Sequence, residues 1–155
     1  MPTLQDTFLK LPVDLKKAVQ LDLCNQALRV WQDYCDQHKT LDYVETVCGT
    51  KQVVDQKLPA AAIAAVTAGR DSENVARRYG EPIAAMQDDD LEFPDSVKFA
   101  YYSIYNLFGR HVASQSIDDW LNVNQALSAH EEGSDYASIL SAAIDRTGNL
   151  HAGHQ

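Results

Sequence analysis

His130-Glu131-Glu132-Gly133-Ser134 opens like the zinc-binding helix H-E-x-x-H, in which two histidines four residues apart share a face and the glutamate works on a metal-bound water. Serine stands at 134 where the second histidine belongs, so that chemistry is excluded. His151 and His154 have a spacing that would chelate a transition metal, but a chain end offers no further groups to orient them, and they read as a solvated tail. His111 reads as an imidazole at a helix end. A general base would need a nucleophile beside it, and the sequence places none there. The run Asp88-Asp89-Asp90-Leu91-Glu92-Phe93-Pro94-Asp95 carries the hard oxygen ligands that calcium and magnesium prefer. Three consecutive aspartates diverge in direction, however, and the glycine and distant glutamate of an EF-hand loop are absent. Gly49-Thr50-Lys51 lacks the upstream glycine and the G-K-S/T order of a phosphate loop, and neither G-x-G-x-x-G nor G-x-S-x-G occurs. No catalytic residue, metal ligand or cofactor is therefore assigned, and the chain is expected not to be an enzyme.

What remains of the chemistry is charge. Residues 1 to 80 hold ten basic and ten acidic side chains, while 81 to 155 hold three and twelve, so the second half carries all of the net −9. Such an asymmetry governs which partners a surface attracts and how fast they arrive. It favours a basic protein. Nucleic acid is excluded as a direct partner, because phosphates must be neutralised by Lys and Arg and residues 111 to 145 contain neither. In the same half the acids alternate with rings: 88 to 95, then Tyr101, Tyr102, Tyr105 and Phe108, then Asp118, Asp119 and Trp120, then Glu131, Glu132 and Asp135. Tyrosine and tryptophan are favoured interface anchors, and carboxylates around them steer a cationic partner. The expected contact set is Asp88, Asp89, Asp90, Glu92, Asp95, Tyr102, Tyr105, Asp118, Asp119, Trp120, Glu131 and Glu132. The competing structural reading makes the acids solvated loops and the rings core.

These residues must be held by helices. Apolar spacing of three and four recurs while strict alternation is nearly absent. A first long helix is expected over Val13–Gln37, with Leu15, Val19, Leu23, Ala27, Val30 or Trp31 and Tyr34 on one face and Lys16, Lys17, Gln20, Gln26, Asp33 and Asp36 left to water. Thr40 is expected to cap a short helix carrying Leu41, Val44, Val47 and Cys48, ended by Gly49. Pro59 opens an alanine-rich helix that Gly69 ends, expected in the middle of the bundle. Short helices follow from Asp71 or Ser72 through Tyr79 and from Pro82 through Met86. Pro94 leads into the most apolar helix, with Val97, Tyr101, Ile104, Phe108 and Val112 as one stripe and Phe99, Tyr102 and Tyr105 as a second. That helix should be central or present one face to a partner. Ser116 with Asp119 resembles a capping box for a helix bearing Trp120, Val123, Ala126 and Leu127. Ser134 caps a last helix, with Ala137, Leu140 and Ile144 inward and Gly148 at its end.

The fold class expected is all-α: an irregular single-domain bundle of about six to eight helices arranged as antiparallel helical hairpins over residues 1–148, with 149–155 a flexible C-terminal tail. No fixed-period repeat is legible, which argues against a solenoid. At 155 residues such a domain buries roughly 70% of its unfolded surface and needs no disulfide or metal to fold. Cys24, Cys35 and Cys48 fit neither a disulfide framework nor C-x-x-C pairs and read as reduced thiols. The first ten residues lack a signal-peptide pattern, and the longest apolar stretch, Ala60 to Ala68, is far short of the roughly 20 residues that span a bilayer. A cytoplasmic protein without membrane contact is expected.

Ala27-Leu28-Arg29-Val30-Trp31 in the first helix, Ala60 to Ala68 ending in Gly69, Phe99-Ala100-Tyr101-Tyr102-Ser103-Ile104-Tyr105, and Trp120 to Ala129 together resemble the all-helical immunity proteins of bacterial polymorphic toxin systems. The likeness spans most of residues 15 to 145 and rests on the placement of alanine and aromatic residues. It implies a small cytosolic antidote that binds one cognate toxin and blocks or distorts its active site; many such toxins are basic nucleases or nucleotide-modifying enzymes. It carries over no binding residue one by one. An acidic helical adaptor or chaperone for a basic client, and a small enzyme reversing a toxin's modification, are the alternatives.

Overall fold

A computed structural model of the chain describes residues 3–37, 44–47, 50–53, 57–71, 75, 94–113, 115–130 and 133–152. The fold is an all-α bundle. Six helices lie among the described residues: α1 (Leu4–Leu9), α2 (Val13–Gln37), α3 (Leu58–Ala68), α4 (Asp95–His111), α5 (Asp119–Ser128) and α6 (Tyr136–Ala152), with strands β1 (Val44–Val47) and β2 (Thr50–Val53) between α2 and α3.

The apolar stripes explain the packing. α4 is buried along Val97, Ala100, Tyr101, Ile104, Leu107 and Phe108 and packs against α2, α3 and α5, which makes it the central helix expected of a segment apolar around most of its circumference. Its second stripe lies at the core's edge, Tyr102 and Tyr105 half-buried and Phe99 exposed. α2 covers it with Val19, Leu23, Ala27 and Trp31. Trp31 and Tyr101 are both fully buried, their ring centres 5.0 Å apart and tilted by 56°. Tilted ring pairs of this kind gain about 0.5–1.5 kcal/mol beyond the area they bury. Gln20 meets His111, Cys24 meets Ser103 and Trp31 meets Tyr101, so position falls along α4 as it rises along α2 and the two helices run antiparallel. α6 lies against the outer side of α2, where Arg146 reaches Asp22.

Helix ends follow elementary capping chemistry. Thr3 and Asp6 form a reciprocal capping box for α1, a helix missed in the sequence although T-x-x-D marks it. Pro94 stands at the N-cap of α4, where its missing N–H breaks no bond, and Asp95 sits in the first turn while Arg110 sits in the last, each charge complementing the helix dipole. Asp118, not Ser116, caps α5. Asp135, not Ser134, takes the corresponding place before α6, accepting from the Ser138 backbone N–H and hydroxyl at 3.2 and 2.8 Å. A carboxylate accepts more strongly than a hydroxyl and adds a favourable charge at the positive end of the helix. Gly69 ends α3 with φ 77°, a conformation that glycine adopts without steric cost.

Several expectations are corrected. Residues 44–53 form an antiparallel hairpin, Val44 facing Val53 and Val47 facing Thr50, instead of a short helix. Val44, Thr46, Val47, Thr50 and Val53 are β-branched, which restricts their rotamers in a helix and suits a pleated surface, and only two residues separate the strands. α3 is a one-sided outer helix: Leu58, Ala62, Ile63, Ala65 and Val66 face inward while Ala64, Thr67 and Ala68 stay exposed. In α6 the inward positions are Leu140, Ala143 and Thr147, with Ile144 half-buried and Ala137 exposed, and the helix runs through Gly148 to Ala152. The short helices expected over 72–79 and 82–86 lie outside the described residues, apart from Val75, which is buried and whose N–H donates to the Asp71 carboxylate at 2.9 Å.

Candidate functional site

The first turn of α5 brings together more of the expected contact residues than any other part of the described chain. Asp118 is exposed and accepts the Trp120 N–H at 2.8 Å as the helix cap. Asp119 is half-buried and turned inward, its Oδ1 accepting from Gln20 Nε2 at 3.1 Å and facing Arg110 Nε at 3.3 Å. Trp120 is half-buried against Phe8 of α1, with ring centres 6.2 Å apart. Beside it Leu121 is 44% exposed, and Leu9 and Val13, at the junction of α1 and α2, are 40% and 77% exposed. The first turn of α5 therefore presents an accessible carboxylate beside a partly open indole that packs against α1.

A polar seam lies behind this surface. Gln20, only 1% exposed, donates through Nε2 to the Asp119 carbonyl at 3.2 Å as well as to its carboxylate. His111 Nε2 lies 2.8 Å from Gln20 Oε1, so the ring nitrogen carries the proton and donates. Burial, and after it the positive charges of Lys17 and Arg110, lower the His111 pKa, partly offset by Asp119. The imidazole is thus neutral at physiological pH and occupies a structural joint. Deeper still, Asn122 Nδ2 donates to the Ser103 carbonyl at 2.6 Å and lies 3.4 Å from Cys24 Sγ. The Cys24 thiol is pushed up to about 12 by burial, and the Cys35 thiol to about 11 by burial and then by Asp36. Neither is a nucleophile at neutral pH.

The other expected contact residues are dispersed. Asp95 is exposed at the start of α4, and Tyr102 and Tyr105 are half-buried about two and three turns further on, where Phe99 meets Tyr102 edge-on at 6.5 Å. Asp88, Asp89, Asp90, Glu92, Glu131 and Glu132 lie outside the described residues. Asp95, Asp118, Asp119 and Asp135 each stand at a helix N-terminus, so part of the acidic excess serves local helix stability. Among the described residues, no three of His, Cys, Asp and Glu converge as metal ligands, and no helix is long and apolar enough to cross a membrane. Comparison with protein-family models, curated proteins and solved structures returns no match.

Spacing marks neither Ser103 nor Asn122 as a functional residue. Gln20, expected to face water, is buried instead: its i and i+4 neighbours are mixed, and an amide gives no sign of the partner it finds ninety residues away. Asn122, three positions from Asp119 and one before Val123, lies on the edge of an apolar stripe, which is the only signal that its amide would be drawn inward.

Proposed function

We propose that the chain is a non-catalytic binding protein that captures a basic protein, and that it serves as the antidote to a cognate bacterial toxin. The observation that carries the reading is the first turn of α5, where exposed Asp118 stands beside the partly open Trp120 ring on a chain of net charge −9. A partly open aromatic ring supplies area to desolvate, and a neighbouring carboxylate favours a partner bearing Lys or Arg. Leu121, next in the chain after Trp120, and Leu9 and Val13, at the junction of α1 and α2, are further exposed aliphatic side chains. The acidic excess of the second half adds long-range attraction, which raises association rates and is screened by salt. The resemblance to all-helical immunity proteins supplies the antidote role.

Co-expression with the product of an adjacent reading frame tests this reading. Restored growth together with a salt-sensitive complex supports an antidote. A complex that forms without rescue makes the chain an adaptor, and restoration of the target by catalytic amounts without any complex makes it an enzyme. Within a complex, Asp88, Asp89 and Asp90 changed together to Asn should slow association and flatten its salt dependence, and an unchanged rate removes that segment from the mechanism.

A further inference from the structure

A groove of about 530 Å³ lies between α2 and α6, lined by Asp22, Asn25, Gln26, Arg29 and Arg146. The four α2 residues are spaced i, i+3, i+4 and i+7, which sets them along one stripe, and Arg146 faces them from α6. Every lining side chain is polar, so the groove is no apolar slot awaiting a hydrophobic ligand. Its two guanidinium groups against one carboxylate give it a positive balance on a chain that is otherwise strongly acidic.

The groups are already positioned. Arg146 Nε and Nη2 reach Asp22 Oδ2 and Oδ1 at 3.1 and 2.8 Å, a two-point fork that fixes the guanidinium plane while leaving most of its N–H donors uncommitted. Gln26 Nε2 donates at 2.9 Å to Asp22 Oδ1, the oxygen that Arg146 Nη2 also reaches, and helps hold the carboxylate. Burial works to raise the Asp22 carboxyl, but the hydrogen bonds from Arg146 and Gln26 and the charges of Arg146 and Arg29 hold it below the usual carboxylate value. Arg29, exposed one turn beyond Gln26, forms no hydrogen bond among the described residues.

We infer that this groove binds a small oxyanion, the carboxylate or phosphate group of a small molecule, between the Arg29 and Arg146 guanidinium groups. Arginine suits that task because its planar donors match the oxygen spacing of both groups. Asp22 plays two parts: it orients Arg146 and also competes with the ligand for it. The inference is independent of the partner proposed above, since it concerns a different face and needs no protein to be present.

The test is a titration of the full-length protein with inorganic phosphate and, separately, with acetate. It is followed through the arginine Nε–Hε resonances in roughly 0.15 M salt, where the screening length is about 8 Å and the distant acidic charges count little. Arg29 and Arg146 should shift saturably while Arg70 and Arg110 stay still. A response to phosphate alone assigns a phosphate ester, and a response to acetate assigns a carboxylate. Arg29→Gln, at an exposed position, should weaken binding by about tenfold. Asp22→Asn keeps an acceptor for Arg146 but removes the competing charge, and should tighten binding by about threefold to tenfold. Absence of a saturable shift with both probes, an equal drift of all arginines, or an affinity indifferent to Arg29→Gln overturns the inference.

Discussion

Gln20 Nε2 lies 3.1 Å from Asp119 Oδ1 and 3.2 Å from the Asp119 carbonyl, so one side chain of α2 ties down the first turn of α5. Its oxygen also receives His111 Nε2 at 2.8 Å, which joins the end of α4 to the same point. Three helices thus meet at a buried amide whose donor and acceptor are both used. Gln20→Leu preserves approximate volume but leaves the imidazole donor and the Asp119 groups without this partner. A loss of about 1–3 kcal/mol is expected in urea unfolding, within the range for stranded buried polar groups. A change within a few tenths would mean that water replaces the amide without penalty.

Asp118 caps α5, and its two roles can be separated by substitution. Asn caps as well as Asp, so Asp118→Asn should leave stability within about 0.5 kcal/mol while removing the charge, whereas Asp118→Ala should cost about 1 kcal/mol. Thermal unfolding of both variants checks this. Equal losses would mean that the negative charge at the helix start, not the hydrogen bond to Trp120, provides the stabilisation.

Gly109 lies where the chain following α4 folds back on that helix. The Gln115 N–H donates to the Gly109 carbonyl at 2.8 Å, and a methyl group at 109 would come within 2.7 Å of both Gln115 Oε1 and Ile117 Cδ1. Alanine has the better helix propensity, by roughly 1 kcal/mol, and the two contacting atoms are ends of side chains that must swing aside to admit the methyl group. Gly109→Ala should therefore leave stability within about 1 kcal/mol in denaturant titration, the helix-propensity gain offsetting the cost of moving two side-chain ends; a loss of about 1–3 kcal/mol, the range for overpacking, would show that they are held in place. Stabilisation would show that Gln115 and Ile117 swing aside freely.

The long helices were legible because each carries an uninterrupted apolar stripe. Val13–Gln37 was expected with the bounds it has, and the α4 stripe of Val97, Tyr101, Ile104 and Phe108 is buried. Where a segment is short, periodicity carries little information: Val44 and Val47 fit a helical spacing and a strand equally, and β-branching with a two-residue connection decides for the hairpin. α1 escaped notice because six residues make less than two turns, and only its cap announces it. The candidate surface was half visible. Tryptophan beside two aspartates marked the first turn of α5, but spacing alone does not tell an aspartate that faces solvent, as Asp118 does, from one that is turned inward, as Asp119 is. That depends on Gln20, from a helix a hundred residues earlier.

Cys24 and Cys35 are free and buried, with thiols raised to about 12 and 11. At pH 7.5 both should resist iodoacetamide in the folded protein and react fully in urea, since the thiolate is the attacking species and both are shielded. Mass mapping of the modified sites gives the answer. Modification of Cys24 at a rate independent of denaturant would contradict the packing of α2 against α4 and α5.

Stability should decline on mild acidification, and two histidines fix the window. Burial lowers the pKa of His130, and burial with Lys17 and Arg110 lowers that of His111, from the ordinary value of 6.5. The unfolded chain therefore binds more protons than the folded one as pH falls below about 6.5, so their contribution is fully present above that value and is lost as pH drops towards the folded pKa values. Asp22 and Asp135, lowered from 3.8, lose theirs only at more acid pH, which separates the two phases. Unfolding free energies from urea titrations at pH 7.5, 6.5, 5.5 and 4.5 should thus begin to fall between pH 6.5 and 5.5, before Asp22 and Asp135 take up protons. His111→Gln, unable to titrate, should flatten that fall while lowering stability at pH 7.5. A flat profile down to pH 4.5 in the unsubstituted protein would show that the joint between His111 and Gln20 opens to admit the charged ring without cost.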